Sequence, residues 1–298
     1  MDDKEQKFKT YRSLSNMHNF RLRLFAEGIL TGILAGIVIS FFRFALSEME
    51  YLRGALYNRL WVSDWSINAC WFAVLIAIAF ILHKLNCIEP MAAGSGIPQV
   101  KGAILGLMKM RWLHILWVKL TAGIIGIGAG LSLGREGPSI QLGAVTAQGV
   151  SRLMGRTRME ERYLLTSGAS AGLAAAFNAP LAGVIFALEE LHRNFSIMVL
   201  LPSMAAAFTA TIISRAIFGR ATIFDIPDLQ LLPISYYGIV ILVALASGLA
   251  GVIFNWGLLN IGRFYSLPCF KRPVQKIASS APVFWVTSCR RFWAAATI

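Results

Sequence analysis

Apolar residues run in long blocks along this chain, at about 25–46, 66–82, 112–133, 163–188, 196–218 and 231–259, with the polar residues gathered between them. A helix needs ~20 apolar residues to cross ~30 Å of hydrocarbon, so several of these blocks predict membrane-spanning helices. The first follows a polar leader, residues 1–24, and has no small-residue cleavage pattern after it. It reads as a retained span rather than a signal peptide. Inside it, Gly28, Gly32 and Gly36 recur at every fourth position, a stripe that predicts close packing of one membrane helix on another. Gly123, Gly126, Gly128 and Gly130 form a second glycine-dense stretch. No strand pattern precedes its Gly-x-Gly and no acidic residue follows at the ribose-binding distance, so packing is the reading there too. In the fourth block, Asn178-Ala179-Pro180 predicts a division into two short helices, because the residue before a proline is pushed out of the helical region. Such short paired helices are expected to pack obliquely inside the protein.

Two further breaks are flanked by glycine and end in proline: Gly94-Ser95-Gly96-Ile97-Pro98 and Gly134-Arg135-Glu136-Gly137-Pro138. Proline suits the first turn of a helix, which has no use for its missing N–H, and glycine lets a ligand approach the backbone. The pattern predicts two helices that begin inside the membrane with free N–H groups aimed at a common place. Helix N-termini carry partial positive charge and attract anions, and half-helices aimed at a midplane site are a transporter device. Movement of an anion is the function this implies.

Composition agrees. Of 298 residues, 56% are hydrophobic and 14% charged, with a mean hydropathy of +0.62; a soluble domain carries roughly a quarter charged residues. The net charge of +13, from 28 basic and 15 acidic residues, would suit nucleic-acid binding. Its distribution argues otherwise: Lys4, Lys7, Lys9, Arg12, Arg21 and Arg23, then Lys109 and Arg111, then Arg152, Arg156 and Arg158, then Arg263, Lys271 and Arg272 lie at the ends of spans. Positive-inside topology produces that clustering and places the N-terminus in the cytoplasm. Cys70, Cys87, Cys269 and Cys289 have neither metal nor disulfide spacing, and His18, His83, His114 and His192 are scattered. No nucleophile–base pairing, phosphate loop or metal cluster supports an enzyme. No metal or cofactor is expected.

Glu136 is a carboxylate inside a predicted membrane segment, which is a functional signal in itself. Desolvation favours its neutral form and a helix N-terminus favours its anion. An acid placed between the two can occupy an anion site when charged and leave it when protonated. Ser95 is placed to cap the helix expected from Pro98, or to donate to a bound anion. Glu189 and Glu190 close an apolar run beside His192 and Arg193. Two readings of them stand open: a helix end that has reached water, or a relay passing protons to Glu136 from the cytoplasmic side.

Near the C-terminal side, Ser247-Gly248-Leu249-Ala250-Gly251-Val252-Ile253 echoes Thr31-Gly32-Ile33-Leu34-Ala35-Gly36-Ile37-Val38. This predicts a second, inverted repeat that starts near residue 231 and is incomplete in the chain. The expected organisation is a cytoplasmic leader at 1–24, a first transmembrane repeat with the anion-site motifs at 25–218, the start of a second at 231–276, and an aberrant tail at 277–298. That tail has Arg290 and Arg291 inside it and no block long enough to span. Back-translated in a shifted frame, Trp285 to Ile298 is compatible with G-x-x-L-P-x-V-L-G-G-G-N, so a frameshift near 277–285 is expected.

GSGIP at 94–98, GREGP at 134–138, and FNAPLAG at 177–183 followed by Glu189-Glu190 resemble, in order, the signature segments of the CLC chloride channels and proton-coupled chloride transporters. The resemblance covers about 25–260. It implies an all-α polytopic membrane protein of inverted-repeat architecture with broken, half-spanning helices, working as a homodimer in the plasma membrane with one anion pathway per subunit. It implies chloride coordination by Ser95 and by the backbone N–H groups of Gly96 and Ile97. Gly94, Pro98, Gly134, Arg135, Gly137 and Pro138 complete the motifs. Glu136 would be the gating glutamate, and Glu190, with Glu189 beside it, the internal proton acceptor. An acid at position 190 goes with exchangers, so proton/chloride exchange is the expected function. A passive chloride channel and a non-transporting fragment are the alternatives; a fluoride-selective relative usually lacks serine at position 95. Chloride and protons are the expected partners, as transported ions, together with the lipid bilayer; nucleic acid is not one. Gln99 and Lys101 depart from the family, which often has acids there. The family's later Gly-x-Phe-x-Pro segment and its anion-coordinating tyrosine have no counterpart, so the pore is expected to be incomplete.

Overall fold

A computed structural model describes residues 3–60, 65–131, 133–193, 195–219, 233 and 236–264. It divides into two units, Met1–Thr222 and Ile223–Ile298. Every element among the described residues is helical, as the apolar blocks predicted. In the first unit these are α1 (Asp3–Leu60), α2 (Trp65–Ile88), α3 (Ile97–Ile104), α4 (Trp112–Gly128), α5 (Glu136–Leu153), α6 (Arg158–Phe177), α7 (Pro180–Phe186) and α8 (Ile197–Phe218). A short 3-10 turn, Pro90–Ala92, precedes α3, and a π-helical turn, Ala187–His192, continues α7. The second unit contributes α9 (Tyr237–Phe264). The aberrant tail expected at 277–298 lies outside the described residues. Asn19–Tyr57, Ile197–Phe218 and Tyr237–Asn260 are long and apolar enough to cross a membrane.

The first helix extends beyond the apolar block at 25–46 on both sides. It runs 58 residues through the polar leader, because nothing from Asp3 to Leu60 interrupts it: there is no proline, and glycine alone does not break a helix. Its stretch Asn19–Tyr57, 39 residues, is about 58 Å long at 1.5 Å per residue, more than the ~30 Å of hydrocarbon that a span has to cross.

α5 and α6 form the interior. α5 is buried at every position from Gly137 to Ser151, and α6 is buried over most of Leu164 to Ala176. α1 and α8 pack on α6, α4 on α5, and α2 on α4. Lipid tails are as apolar as leucine, so hydrophobicity does not drive these helices together; close approach of small residues does. The α1 stripe is such a contact. A Cβ added to Gly28 would lie 2.6 Å from the Pro202 carbonyl oxygen, one on Gly32 2.7 Å from Ala206 Cα, and one on Gly36 2.9 Å from Ala210 Cα. Between α5 and α6, Gly143, Gly168 and Gly172 do the same: a Cβ on Gly143 would meet the Gly168 carbonyl, and one on Gly172 the Ser139 carbonyl. The second glycine stretch also proves to be packing, with Gly123 under the Phe42 ring and Gly128 against Met49.

The break at Asn178-Ala179-Pro180 falls where predicted. Asn178 ends α6 in the left-handed conformation at φ 59°, and Pro180 opens α7. Arg215 Nε donates to Asn178 Oδ1 at 2.6 Å and its Nη2 to the Asn178 carbonyl at 3.3 Å, so α8 secures the corner. Arg43, in the middle of α1, donates to the Ala175 carbonyl at 2.7 Å and to Ser214 Oγ at 2.6 Å. At the start of α6, Thr157 and Glu160 cap reciprocally. Glu160 also pairs with Arg23, and the buried Glu27 pairs with Arg156 at 2.6 Å.

Gly32→Leu is expected to lower the thermal unfolding midpoint of the detergent-solubilised chain, since its Cβ meets backbone that cannot give way; overpacking of this kind costs ~1–3 kcal/mol or more. Gly54, on the same helix with nothing within 4 Å of an added Cβ, should gain up to about 1 kcal/mol as alanine. Equal midpoints for the two variants would remove the stripe from the packing account.

Candidate functional site

Both glycine-flanked breaks open helices, and the structure brings the two openings into contact. α3 begins at Ile97, one residue before the predicted start, with Gly96 as its N-cap at φ 92° and no side-chain cap. The capping role open to Ser95 is therefore not used. The left-handed turn at Gly96 carries the chain into the helix instead, which leaves the Ser95 hydroxyl without a hydrogen bond among the described residues. α5 begins at Glu136, with Arg135 as N-cap. The Arg135 carbonyl accepts from Ser139 N at 3.1 Å and from Ser139 Oγ at 2.8 Å.

Glycine makes the contact possible. A Cβ on Gly137 would lie 2.7 Å from Ser95 Oγ and would also collide with the Ser95 carbonyl. A Cβ on Gly96 would lie 2.6 Å from both Cβ and Oε1 of Gln141 on α5. Ser95, Gly96 and the first turn of α5 are thus one constellation. Pro98 and Pro138 lie within the first turns of α3 and α5, where an N–H is not required. The amides of Gly94, Ser95 and Gly96 donate to no acceptor among the described residues. Two helix N-termini and these amides concentrate partial positive charge at one place.

Glu136 stands over this place. Its carboxylate folds back onto Gly134, so closely that a Cβ there would overlap Oε2. No hydrogen bond or ion pair among the described residues holds it. On the α1 side, a cavity of about 870 Å³ lined by Glu50, Arg53, Tyr57, Ile127, Gly130 and Gly134 opens toward Gly134.

Glu190 is elsewhere. It sits with Glu189, both exposed, on the π-helical turn after α7. Its Oε1 lies 2.8 Å from Lys101 Nζ, about 6 Å further along α3 than Ile97 at 1.5 Å per residue. At 21% and 49% side-chain exposure the pair adds only ~0–1 kcal/mol of stability. It nevertheless ties Glu190 to the last turn of the helix whose first turn borders Ser95. Gln99, the other departure, turns back on the loop: its Nε2 donates to the Ala93 carbonyl at 2.6 Å.

Sequence reading missed the residues that shape the loop before Ser95. Lys119 on α4, 3% exposed, donates to the carbonyls of Ala92 at 3.0 Å and Gly94 at 2.5 Å. Gln141 Nε2 donates to the Met91 carbonyl at 2.8 Å. Arg111 holds the buried Glu89 at the start of the loop, at 2.9 Å. Lys119 did carry a signal, since it is a charge inside a predicted span. Gln141 carried none.

The family model described as voltage gated chloride channel matches residues 73–296. The H(+)/Cl(-) exchange transporter ClcA of Vibrio cholerae is 34% identical over 238 residues, which is 76% of this chain and 50% of that one. Among solved structures, a slow cyanobacterial Cl-/H+ antiporter superposes with a TM-score of 0.76 at 29% identity, over 87% of this chain and 61% of that one. A CLC-type fluoride/proton antiporter follows at 0.70 and 26%, over 88% and 64%. The chain spans about half the length of the curated relatives it matches. With the motif segments carried by helix breaks and relatives of one kind, the chain belongs to the voltage gated chloride channel family.

Proposed function

We propose that this chain serves proton-coupled chloride exchange across the membrane. One observation carries the reading: two helix N-termini meet at Ser95 and Gly137, with unpaired amides there and the unpaired carboxylate of Glu136 in the first turn of α5. Chloride accepts from the Ser95 hydroxyl and from the amides of Gly96 and Ile97. Donors of this kind suit a weakly basic anion, which must be bound and then released; a full cationic ligand would hold it too long.

Glu136 competes for the same place. Ionised, its carboxylate is attracted to the N-terminus of α5 and closes the pathway; protonated, it withdraws and carries a proton with it. Glu190, with Glu189 beside it, exchanges protons with the cytoplasm. The pairing of Glu190 with Lys101 places a cation where related chains often have an acid. The chain works as a homodimer in the plasma membrane, with its N-terminus in the cytoplasm where the basic clusters place it.

Reconstituted in liposomes, the chain is expected to take up or release protons when a chloride gradient is imposed. Chloride flux without proton movement would favour a passive channel, and no flux would reject transport by this chain. Glu136→Gln should reduce proton movement to the level of empty liposomes while chloride still passes; coupling that persists in Glu136→Gln and Glu136→Ala would reject its role. Glu190→Gln should likewise abolish proton flux and spare chloride, and normal proton flux there would remove it from the path.

A further inference from the structure

Four consecutive carbonyls, those of Met91, Ala92, Ala93 and Gly94, are each captured by a buried side chain, from α4, from α5 or from the first turn of α3. Gln141 takes the first, Lys119 the second and fourth, and Gln99 the third. Burying an ammonium is expensive, and this one directs its donors at two peptide oxygens beside Ser95. In a trans peptide the carbonyl of one residue and the N–H of the next point in opposite directions. Holding the Ala93 and Gly94 oxygens inside the protein therefore turns the N–H groups of Gly94 and Ser95 the other way, and neither makes a hydrogen bond among the described residues. Gly94, at φ 81°, has no Cβ to prevent the flanking peptides from flipping. The loop by itself does not choose whether donors or acceptors face the junction of α3 and α5.

We propose that Lys119 and Gln99 are positioning residues of the anion site. They clamp the carbonyls of Ala93 and Gly94 away from the ion, so that the loop adds the N–H groups of Gly94 and Ser95, rather than oxygens, to the Ser95 hydroxyl and the amides of Gly96 and Ile97. The clamp explains the departure at position 99: an ionised acid there has no donor for the Ala93 oxygen, whereas glutamine does. The proposal rests on the reading of Ser95 and its neighbours as an anion site.

The test is calorimetric titration of potassium chloride into the full chain in detergent, at constant ionic strength, with thermal unfolding measured in parallel. Lys119→Met keeps the length of the side chain and removes its donors. It should weaken chloride binding by the folded fraction about ten-fold or more, the scale of one lost charge-assisted hydrogen bond. A merely structural lysine would lower the midpoint and leave the affinity of the folded fraction unchanged. Equal affinity in the parent and in Lys119→Met overturns the positioning role while the anion site stands. No chloride binding by the parent chain overturns the anion site and the clamp together. If Lys119→Met does not fold, Gln99→Met decides: affinity of the folded fraction at least about three-fold weaker supports the clamp, and unchanged affinity overturns it.

Discussion

A helix that breaks inside a bilayer releases peptide groups with no water to receive them, and each one left unpaired costs several kcal/mol. The rest of this structure can be understood as a response to that constraint at three breaks. At Asn178 the response is structural: an arginine from α8 takes both the side chain and the carbonyl of the corner residue, and the turn closes. At Gly94–Pro98 it is asymmetric. Buried donors take the oxygens of the loop, and its amides are left over. At Gly134–Pro138 the chain leaves a carboxylate, Glu136, folded back on Gly134 in the first turn of the helix that meets Ser95. A loop whose carbonyls from Met91 to Gly94 are taken and whose next amides are left over has the polarity that the proposed anion site requires.

That asymmetry needs the two openings to be very close, and closeness comes from residues without side chains. Gly137 lets α5 approach Ser95, and Gly96 lets the loop approach Gln141. The same rule governs the larger contacts, where α1 meets α8 through Gly28, Gly32 and Gly36 and α5 meets α6 through Gly143, Gly168 and Gly172. With little gain from burying apolar surface against apolar lipid, backbone proximity is the available source of packing energy. The glycines that assemble the bundle and those that assemble the site act through the same physics.

The legible features were those written in local order. Apolar blocks gave the helices, proline after glycine gave the breaks, the four-residue repeat on α1 gave its packed face, and a lone carboxylate in an apolar setting marked Glu136. The structure decided where local signals were weak or had two uses. The leader before Leu24 is polar, yet nothing in it stops a helix, so α1 begins at Asp3. Ser95 has the chemistry of a cap, yet glycine at 96 turns the chain before a cap is needed.

The sequence alone determined the class of the protein, the position of its breaks and the family to which it belongs, because helix length, proline geometry and the cost of intramembrane charge act over a few neighbouring residues. Tertiary structure decided what the breaks became. Ser95 and Gly137 are 42 positions apart, as follows from their numbers, and Lys119 reaches back 25 to the Gly94 carbonyl. No periodicity links such positions, because the contact exists only once α3, α4 and α5 have packed. The direction in which a peptide group points is set by the donor that folding brings to its oxygen, and that donor lies on another helix.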